Sequence, residues 1–234
     1  MNKIFLWLLM MLPITGMAVN CEIADVNLCQ KAEQGNSEAQ WRLGEMYVIG
    51  NGVRQDYAQA VNWFRKSAEQ GNSEAQWRLG GMYVAGYGVK QGDVQAVNWY
   101  RKSAEQGNSE AQLRLAGMYE SGNGVRQDSA QAVNWYRKSA EQGHSFAQFI
   151  LGLMYVTGNG VRQDSAQAVN WFRKSAEQGY PGSQLILAGM YESGNGVRQD
   201  FDQAKKWYSK ACDDGDKEGC NRYRSLNGKN YKKQ

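Results

Sequence analysis

The sequence predicts an all-α protein built as a solenoid of helix pairs, and three observations lead to that prediction. Near-identical segments recur five times with a period of 36 residues. A fixed period of this length is typical of arrays in which each repeat packs only on its neighbours. Within each repeat the apolar residues have helical spacing. Glycines punctuate the repeats at constant positions, namely Gly35, Gly71, Gly107, Gly143, Gly179 and Gly215.

The first half of each repeat predicts a helix, called helix A. In the first repeat Ser37-x-x-Gln40 has the pattern of a capping box, which is expected to open helix A at about residue 38. Gly50 is expected to end helix A at about residue 49 as a left-handed C-cap residue. The position of Gly44 is Gly or Ala in every repeat, which would permit a close helix crossing. The expected buried stripe is Ala39, Leu43, Met46 and Tyr47.

The second half of each repeat predicts helix B. Asp56-x-x-Gln59 is expected to be a second capping box that opens helix B over residues 57–70, and Gly71 is expected to end it. The second repeat has Gly92 at the cap position, and the fifth begins helix A with Pro181. The expected buried stripe is Ala60, Trp63, Phe64, Ser67 and Ala68. One tryptophan per repeat is expected to fill the core, at Trp63, Trp99, Trp135, Trp171 and Trp207.

The two ends of the chain differ from the repeats. Residues 1–18 have the pattern of a secretory signal peptide, with Lys3, a short apolar stretch and a small-x-small cleavage site. We expect the mature chain to start at Val19 and to be exported to the periplasm or the medium. The expected order is a capping helix at 19–35, repeats at 36–71, 72–107, 108–143, 144–179 and 180–215, a capping helix at 216–226 and a basic tail at 227–234.

The four cysteines form two Cys-x7-Cys pairs, one at each end of the array. Because an end repeat has only one neighbour, a disulfide there would add needed stability. Cys212 and Cys220 are expected to pair, since Gly215 between them turns the chain back. Eight residues of a straight helix rise about 12 Å, which exceeds the reach of a disulfide. A bridge between Cys21 and Cys29 therefore requires the chain around Cys21 to fold back.

Three motifs, complete in the first repeat, recur with few changes down the array: Ala-x-x-x-Leu-Gly-x-x-Tyr, Gly-x-Gly-Val-x-x-Asp, and a helix B motif that centres on Trp-[Phe/Tyr]. With these motifs the chain resembles the Sel-like repeat (SLR) family, a branch of the tetratricopeptide superfamily, over residues 21–226. The resemblance implies a right-handed α/α superhelix that acts as an adaptor or scaffold for protein complexes. It also implies roles in envelope assembly, secretion or host contact for exported bacterial members. A cysteine-rich subset of the family is associated with penicillin binding and β-lactam hydrolysis, but its Cys-x7-Cys spacing recurs within the repeats.

The outer face of helix A is the candidate binding site, because in related repeats this face lines the concave groove. A solvated helix face should be polar, yet one position is apolar in every repeat: Trp41, Trp77, Leu113, Phe149 and Leu185. Phe146 and Leu153 extend this apolar ladder in the fourth repeat, and Val48 and Glu45 lie beside it in the first. One interpretation is a groove for an extended peptide or a partner helix. The other is that these residues pack against the neighbouring repeat.

Composition and motifs narrow the functional class. The net charge of +4 is mild and its basic residues alternate with acidic ones, which argues against nucleic acid. The single histidine, His144, is expected at the surface, so no His-based metal cluster and no cofactor are expected. No Ser-x-x-Lys or Lys-Thr-Gly motif occurs. We therefore expect a monomeric, non-enzymatic scaffold for a protein or peptide, without a membrane span. The alternative is a periplasmic β-lactam- or peptidoglycan-binding protein with weak β-lactamase activity.

Overall fold

The computed structural model describes residues 25–228, which form twelve α-helices and no β-strand. The predicted signal peptide, Cys21 and residues 229–234 lie outside the described residues. The helices in chain order are α1 Val26–Glu33, α2 Ser37–Ile49, α3 Tyr57–Glu69, α4 Ser73–Ala85, α5 Asp93–Glu105, α6 Ser109–Ser121, α7 Ser129–Glu141, α8 Ser145–Thr157, α9 Ser165–Glu177, α10 Pro181–Ser193, α11 Phe201–Asp213 and α12 Lys217–Gly228.

The helices stack in chain order, and each packs most extensively against its neighbours in sequence. Helices α2 to α11 form the five predicted A/B pairs, α1 precedes the first pair and α12 covers the last. A fully buried leucine from each helix A marks the centre of the core: Leu43, Leu79, Leu115, Leu151 and Leu187. The predicted all-α solenoid is therefore confirmed.

Small residues bring the two helices of a pair close together, as predicted. A Cβ atom added at Gly80 would lie 2.7 Å from a ring carbon of Tyr100, and Gly44 has the same relation to the ring of Phe64. A bulky side chain at this position would push helix B away from helix A.

The caps of helix A differ from the prediction. Asn36, and not Ser37, precedes α2, and its side-chain oxygen accepts a hydrogen bond from the Ala39 N–H at 2.8 Å. Ser37 is the first helical residue, so the predicted Ser-x-x-Gln capping box is wrong. The physical reason is that Gln40 points into the core, where its amide donates to the Ala32 carbonyl at 2.9 Å.

The caps of helix B and the helix ends agree better with the sequence. The Asp56 carboxylate accepts hydrogen bonds from the backbone of Ala58 and Gln59. Its own N–H donates to the Tyr47 carbonyl, so the Gln59 side chain does not complete a reciprocal box. Gly50 is the left-handed C-cap of α2, with φ of 74°. Gly92 caps α5 without a side-chain bond, and Pro181 occupies the first position of α10.

Buried glutamines join three consecutive helices. Gln112 on α6 donates to the Ala104 carbonyl of α5 at 3.0 Å and accepts from the Gln142 amide of α7 at 2.7 Å. Gln40, Gln76 and Gln148 make the same pair of bonds in their repeats. Each glutamine therefore couples one repeat to the preceding one through a buried amide.

We expect Gln112→Met to lower the free energy of unfolding by about 2 kcal/mol, because the Ala104 carbonyl then keeps only the Gly107 N–H as a donor and the Gln142 amide loses its acceptor. Methionine has nearly the same length and volume, so lost packing contributes little. Urea denaturation followed by circular dichroism measures the change. The control is Gln131→Met on the exposed face of α7, which should leave stability unchanged. Equal effects of the two substitutions would contradict this role for Gln112.

The tryptophans of helix B pack largely as predicted. Trp63, Trp171 and Trp207 are buried, whereas Trp99 and Trp135 are half-buried. Three residues after each tryptophan, a lysine places its ammonium group 4.0–4.6 Å from the ring centroid. The lysines therefore cover the outer faces of these rings.

The ends of the array are closed by α1 and α12. On α1, Cys29 and Ala32 are buried against α2, while Asn27 is exposed at the position of the tryptophans. Helix α12 ends at Gly228, two residues beyond the predicted capping helix, because Leu226 is buried against the last pair. Residues 227–228 therefore belong to this helix and not to the tail.

The predicted disulfide between Cys212 and Cys220 is present and joins α11 to α12, with Cα atoms 4.5 Å apart. Cys29 is also disulfide-bonded, while its predicted partner Cys21 lies outside the described residues. An intramolecular disulfide is typical of proteins in an oxidising compartment.

Replacing Cys212 and Cys220 together with alanine is expected to lower the free energy of unfolding by about 2–3 kcal/mol, the value for a short closed loop. Helix α12 should show the largest loss of protection in hydrogen exchange, because the bridge anchors it to α11. An unchanged urea midpoint and unchanged protection of α12 would argue against a stabilising role for this bridge.

Candidate functional site

An open pocket of about 630 Å³ lies along the faces of consecutive A helices. Four of the nine predicted binding residues line it, one from each of four successive repeats: Val48, Trp77, Leu113 and Phe146. The structure thus brings residues from α2, α4, α6 and α8 to one continuous surface. We call this surface the groove pocket.

The other five predicted binding residues do not line the groove pocket. Trp41 is half-buried against the core of repeats 1 and 2. Phe149, Leu153 and Leu185 are half-buried against the core of repeats 4 and 5. Glu45 is half-buried and paired with an arginine. The apolar ladder therefore serves inter-repeat packing along part of its length, which was the second interpretation from the sequence.

The floor of the groove pocket contains tyrosines that the sequence prediction assigned only to the core. Tyr100 and Tyr136 both line the pocket. In each case a glycine on the facing helix A lies under the hydroxyl: a Cβ at Gly81 or Gly117 would be 3.6 Å from it. The fifth repeat has the same arrangement, with Tyr208 over Gly189.

The tyrosine and the glycine occur together in the sequence. Where helix A carries Glu45 or Leu153 instead of glycine, helix B carries a phenylalanine, at Phe64 and Phe172 respectively. The larger side chain fills the space that the hydroxyl takes elsewhere. This pairing was visible in the repeat alignment and would have indicated three hydroxyls on the groove side.

Two of the three hydroxyls are bonded to carboxylates. Tyr136 donates to Glu120 at 2.8 Å, and Tyr208 donates to Glu192 at 2.7 Å. Burial, reinforced by these hydrogen bonds to the carboxylates, raises the pKa of both phenols. Burial also raises the pKa of Tyr100 to about 12, while the nearby Arg114 lowers it. All three phenols are therefore neutral hydrogen-bond donors at physiological pH.

The arginines along helix A have different partners. Arg42 pairs with Glu38 at 2.8 Å on an exposed face. Arg78 pairs with Glu45 of the preceding repeat at 2.6 Å, and its guanidinium lies 4.3 Å from the centroid of the Trp77 ring. Burial raises the pKa of Glu45, and the charge of Arg78 opposes that shift. The Arg78 contact holds the Trp77 ring on the wall of the groove pocket.

Repeat 4 contributes an aromatic cluster beside the groove pocket. The Phe149 ring lies 4.9 Å from Tyr180 and 6.0 Å from Phe172, measured between centroids. Phe146 packs against the same group at 5.9 Å from Tyr180, yet its side chain remains 39% exposed. Because the first three repeats have glutamate at the position of Phe146, this cluster is the most apolar part of the helix A face.

His144 was expected at the surface, but its side chain is only 19% exposed and is held by neighbouring residues. It is the N-cap of α8, where Nδ1 accepts from the Ala147 N–H and Nε2 contacts the Glu110 carboxylate at 2.9 Å. Asn108 has the same two roles in the preceding repeat, toward Ala111 and Glu74. Histidine is accepted here because its two ring nitrogens reproduce the acceptor and donor of asparagine.

Residues 25–228 contain no group of three or more His, Cys, Asp or Glu side chains that could hold a metal ion. In the same range no helix is both long enough and apolar enough to cross a bilayer.

The stacked helix pairs and their groove define the class of α/α repeat solenoids, which present extended surfaces to other molecules. The chain belongs to the Sel1 repeat family, whose profile matches it five times, at residues 37–72, 73–108, 109–144, 145–180 and 181–216. Sel1 repeats are protein-interaction modules.

Three relatives illustrate the similarity. The secretory immunoglobulin A-binding protein EsiB of Escherichia coli O6:H1 is 44% identical over 62 residues, which is 26% of this chain and 12% of EsiB. The crystal structure of c5321, a protective antigen of uropathogenic E. coli with an SLR fold, is 41% identical with a TM-score of 0.84. That match covers 85% of this chain and 43% of c5321, so the chain spans less than half the length of either relative.

A Sel1 repeat protein from Oxalobacter formigenes is similar over most of both chains. It is 37% identical, with a TM-score of 0.76, and the match covers 81% of this chain and 78% of that structure.

Proposed function

We propose that this protein is an exported interaction scaffold that binds an extended segment of a partner protein in the groove pocket. The observation that carries the proposal is the alignment of Val48, Trp77, Leu113 and Phe146, from four successive repeats, along one open pocket. A solvated helix face would be polar at these positions. Phe146 is exposed, Val48 and Trp77 are half-buried and Leu113 is buried, so part of this apolar lining is open to a ligand, as is typical of interaction sites.

The shape and composition of the pocket favour a peptide segment as the ligand. The lining residues come from successive helices rather than from one deep cavity, so an extended chain can contact several repeats at once. Tryptophan, tyrosine and arginine, the residue types enriched in binding hot spots, all line it. The name of EsiB states that it binds secretory immunoglobulin A, which agrees with a protein as the partner class.

Export is the second part of the proposal. The disulfide between Cys212 and Cys220 supports an oxidising compartment. The predicted signal peptide supports export as well, because its n-region, apolar stretch and cleavage site are all present in the sequence.

An affinity capture tests the function. Residues 19–234 are used to capture proteins from the cell envelope and the culture medium, in parallel with a Val48→Ala, Trp77→Ala, Phe146→Ala variant of three pocket-lining residues, whose helicity is checked by circular dichroism. The proposal predicts a partner that the parent retains and the folded variant loses. Equal retention by both would place binding on the loops or on helix B and contradict the groove.

A further inference from the structure

The groove pocket has an unusual charge arrangement between repeats 2 and 3. Tyr100 and Arg114 both line it, and they are close enough for the arginine charge to act on the phenol. Neither side chain has a hydrogen bond or ion pair to another residue of the described part of the chain. The pocket thus holds a phenol donor and a guanidinium with no protein acceptor.

Two differences between repeat 2 and the other repeats remove the carboxylate acceptors that the equivalent tyrosines and arginine have there. In repeats 3 and 5 the phenol is bonded to Glu120 or Glu192, but the equivalent residue in repeat 2 is Val84. Arg78 pairs with Glu45 of the preceding repeat, but the residue that would pair with Arg114 in the same way is Gly81. Val84 and Gly81, which stand in place of these carboxylates, both lie on α4, the helix A of repeat 2.

The other boundaries do not combine these features. After repeat 3, the position of Arg114 is occupied by Ile150. After repeat 5, Arg222 pairs with Glu218, and Tyr208 is bonded to Glu192. Of the boundaries between residues 25 and 228, the one between repeats 2 and 3 alone combines an unbonded phenol with an unpaired arginine of the following helix A.

The residues around Tyr100 and Arg114 favour a ligand that carries an apolar group as well as a negative charge. Trp77, Leu113 and Val84 provide apolar walls beside the two donors, and Phe146 borders the pocket from repeat 4. Asp93 also lines the pocket, in the first turn of α5, where the helix N-terminus favours a negative charge. A volume of about 630 Å³ exceeds the needs of one carboxylate and accommodates a neighbouring bulky side chain.

We propose that this boundary recognises an internal aspartate or glutamate of the docked segment, with its carboxylate on the Arg114 guanidinium and the Tyr100 hydroxyl and an adjacent apolar side chain on Trp77 and Leu113. The inference rests on the proposed function, because it assigns the ligand chemistry of the same groove. Charge complementarity favours an acidic residue, because one ligand carboxylate can accept from both Tyr100 and Arg114, which have no carboxylate partner in the described part of the chain. Hydrogen bonds between charged partners are stronger than neutral ones and give specificity.

The chain itself supplies variants that should fold. Val84→Glu copies Glu120, Tyr100→Phe copies Phe64 and Phe172, and Arg114→Ile copies Ile150 and Ile186. Tyr208→Phe is the matched control, because the Tyr208 hydroxyl is already bonded to Glu192 and Tyr208 does not line the groove pocket.

The experiment selects binders to the mature chain from a displayed library of random dodecapeptides. The enriched sequence is then synthesised with blocked termini, with its acidic residue kept or changed to the amide. The parent and Tyr208→Phe should bind the acidic peptide about tenfold more tightly than the amide, as expected for a charged hydrogen bond. Val84→Glu and Arg114→Ile should bind both peptides equally, and Tyr100→Phe should lose part of the preference.

The other outcomes separate the two proposals. Enriched peptides that are purely apolar, or a preference for the acid that persists in Arg114→Ile, would overturn this inference and leave the groove function standing. Binding that requires a free C-terminal carboxylate would overturn the assignment to an internal acidic residue. Failure of the parent to select any peptide would count against the proposed function itself.

Discussion

Gly124→Ala is expected to lower the free energy of unfolding by about 3–5 kcal/mol, the sum of backbone strain and overpacking. Gly124 has φ of +67°, a conformation that disfavours a side chain. A Cβ atom there would also overlap the backbone of Asp93 and Val94, at the start of helix B in the preceding repeat. Backbone atoms cannot rotate away as a flexible side chain can, so the contact between the two repeats must open.

The matched control is Gly107→Ala. Gly107 also has a positive φ, of +96°, but nothing lies within 4 Å of the added Cβ. It should therefore cost only the strain, about 1 kcal/mol. Urea denaturation of the two variants separates the cost of backbone strain from the cost of the steric overlap. Equal losses of stability would show that the close contact of the Gly124 loop with the preceding repeat does not contribute to stability.

Trp77→Ala is expected to weaken binding of the captured partner by about 30-fold or more, the loss of a hot-spot residue of about 2 kcal/mol. The Trp77 ring lies on the wall of the groove pocket and is held there by Arg78. Removing it deletes apolar contact area and leaves a gap beside Leu113. Titration of the purified partner by calorimetry measures the change.

Trp99→Ala is the control for this prediction. Trp99 is in the same repeat, is also half-buried, and also has a cationic group over its ring, that of Lys102 at 4.3 Å. It lies on helix B and does not line the groove pocket. Both variants should lose stability, and only Trp77→Ala should lose affinity. A similar loss of affinity in Trp99→Ala would indicate that binding follows stability and not the groove.

The fold could be predicted from the sequence because its determinants are local and repeated. The helix bounds follow from the glycines and the Asp56-type caps, which act within a few residues. The prediction of the helix A cap was wrong because Asn36 and Ser37 are both good capping residues, and which of them caps the helix depends on Gln40. That side chain bonds to the preceding helix, and a contact of this kind is invisible in a local pattern.

The candidate site could be predicted only in part. Spacing placed Trp77 and Phe149 on the same face, but it could not show that the first lines the pocket while the second packs into the aromatic cluster. That difference depends on Tyr180, whose ring packs on Phe149 from the next repeat. The hydroxyl of Tyr100 was missed because its exposure requires glycine on another helix.

The central claim is that the partner occupies the groove pocket, and photo-crosslinking tests it most directly. A benzoylphenylalanine is placed at Val84, which is 39% exposed and lines the pocket, or at Val94, which is 58% exposed on helix B and does not. The account predicts that the partner is crosslinked from position 84 and not from position 94. Crosslinking from position 94 with none from position 84 would contradict it.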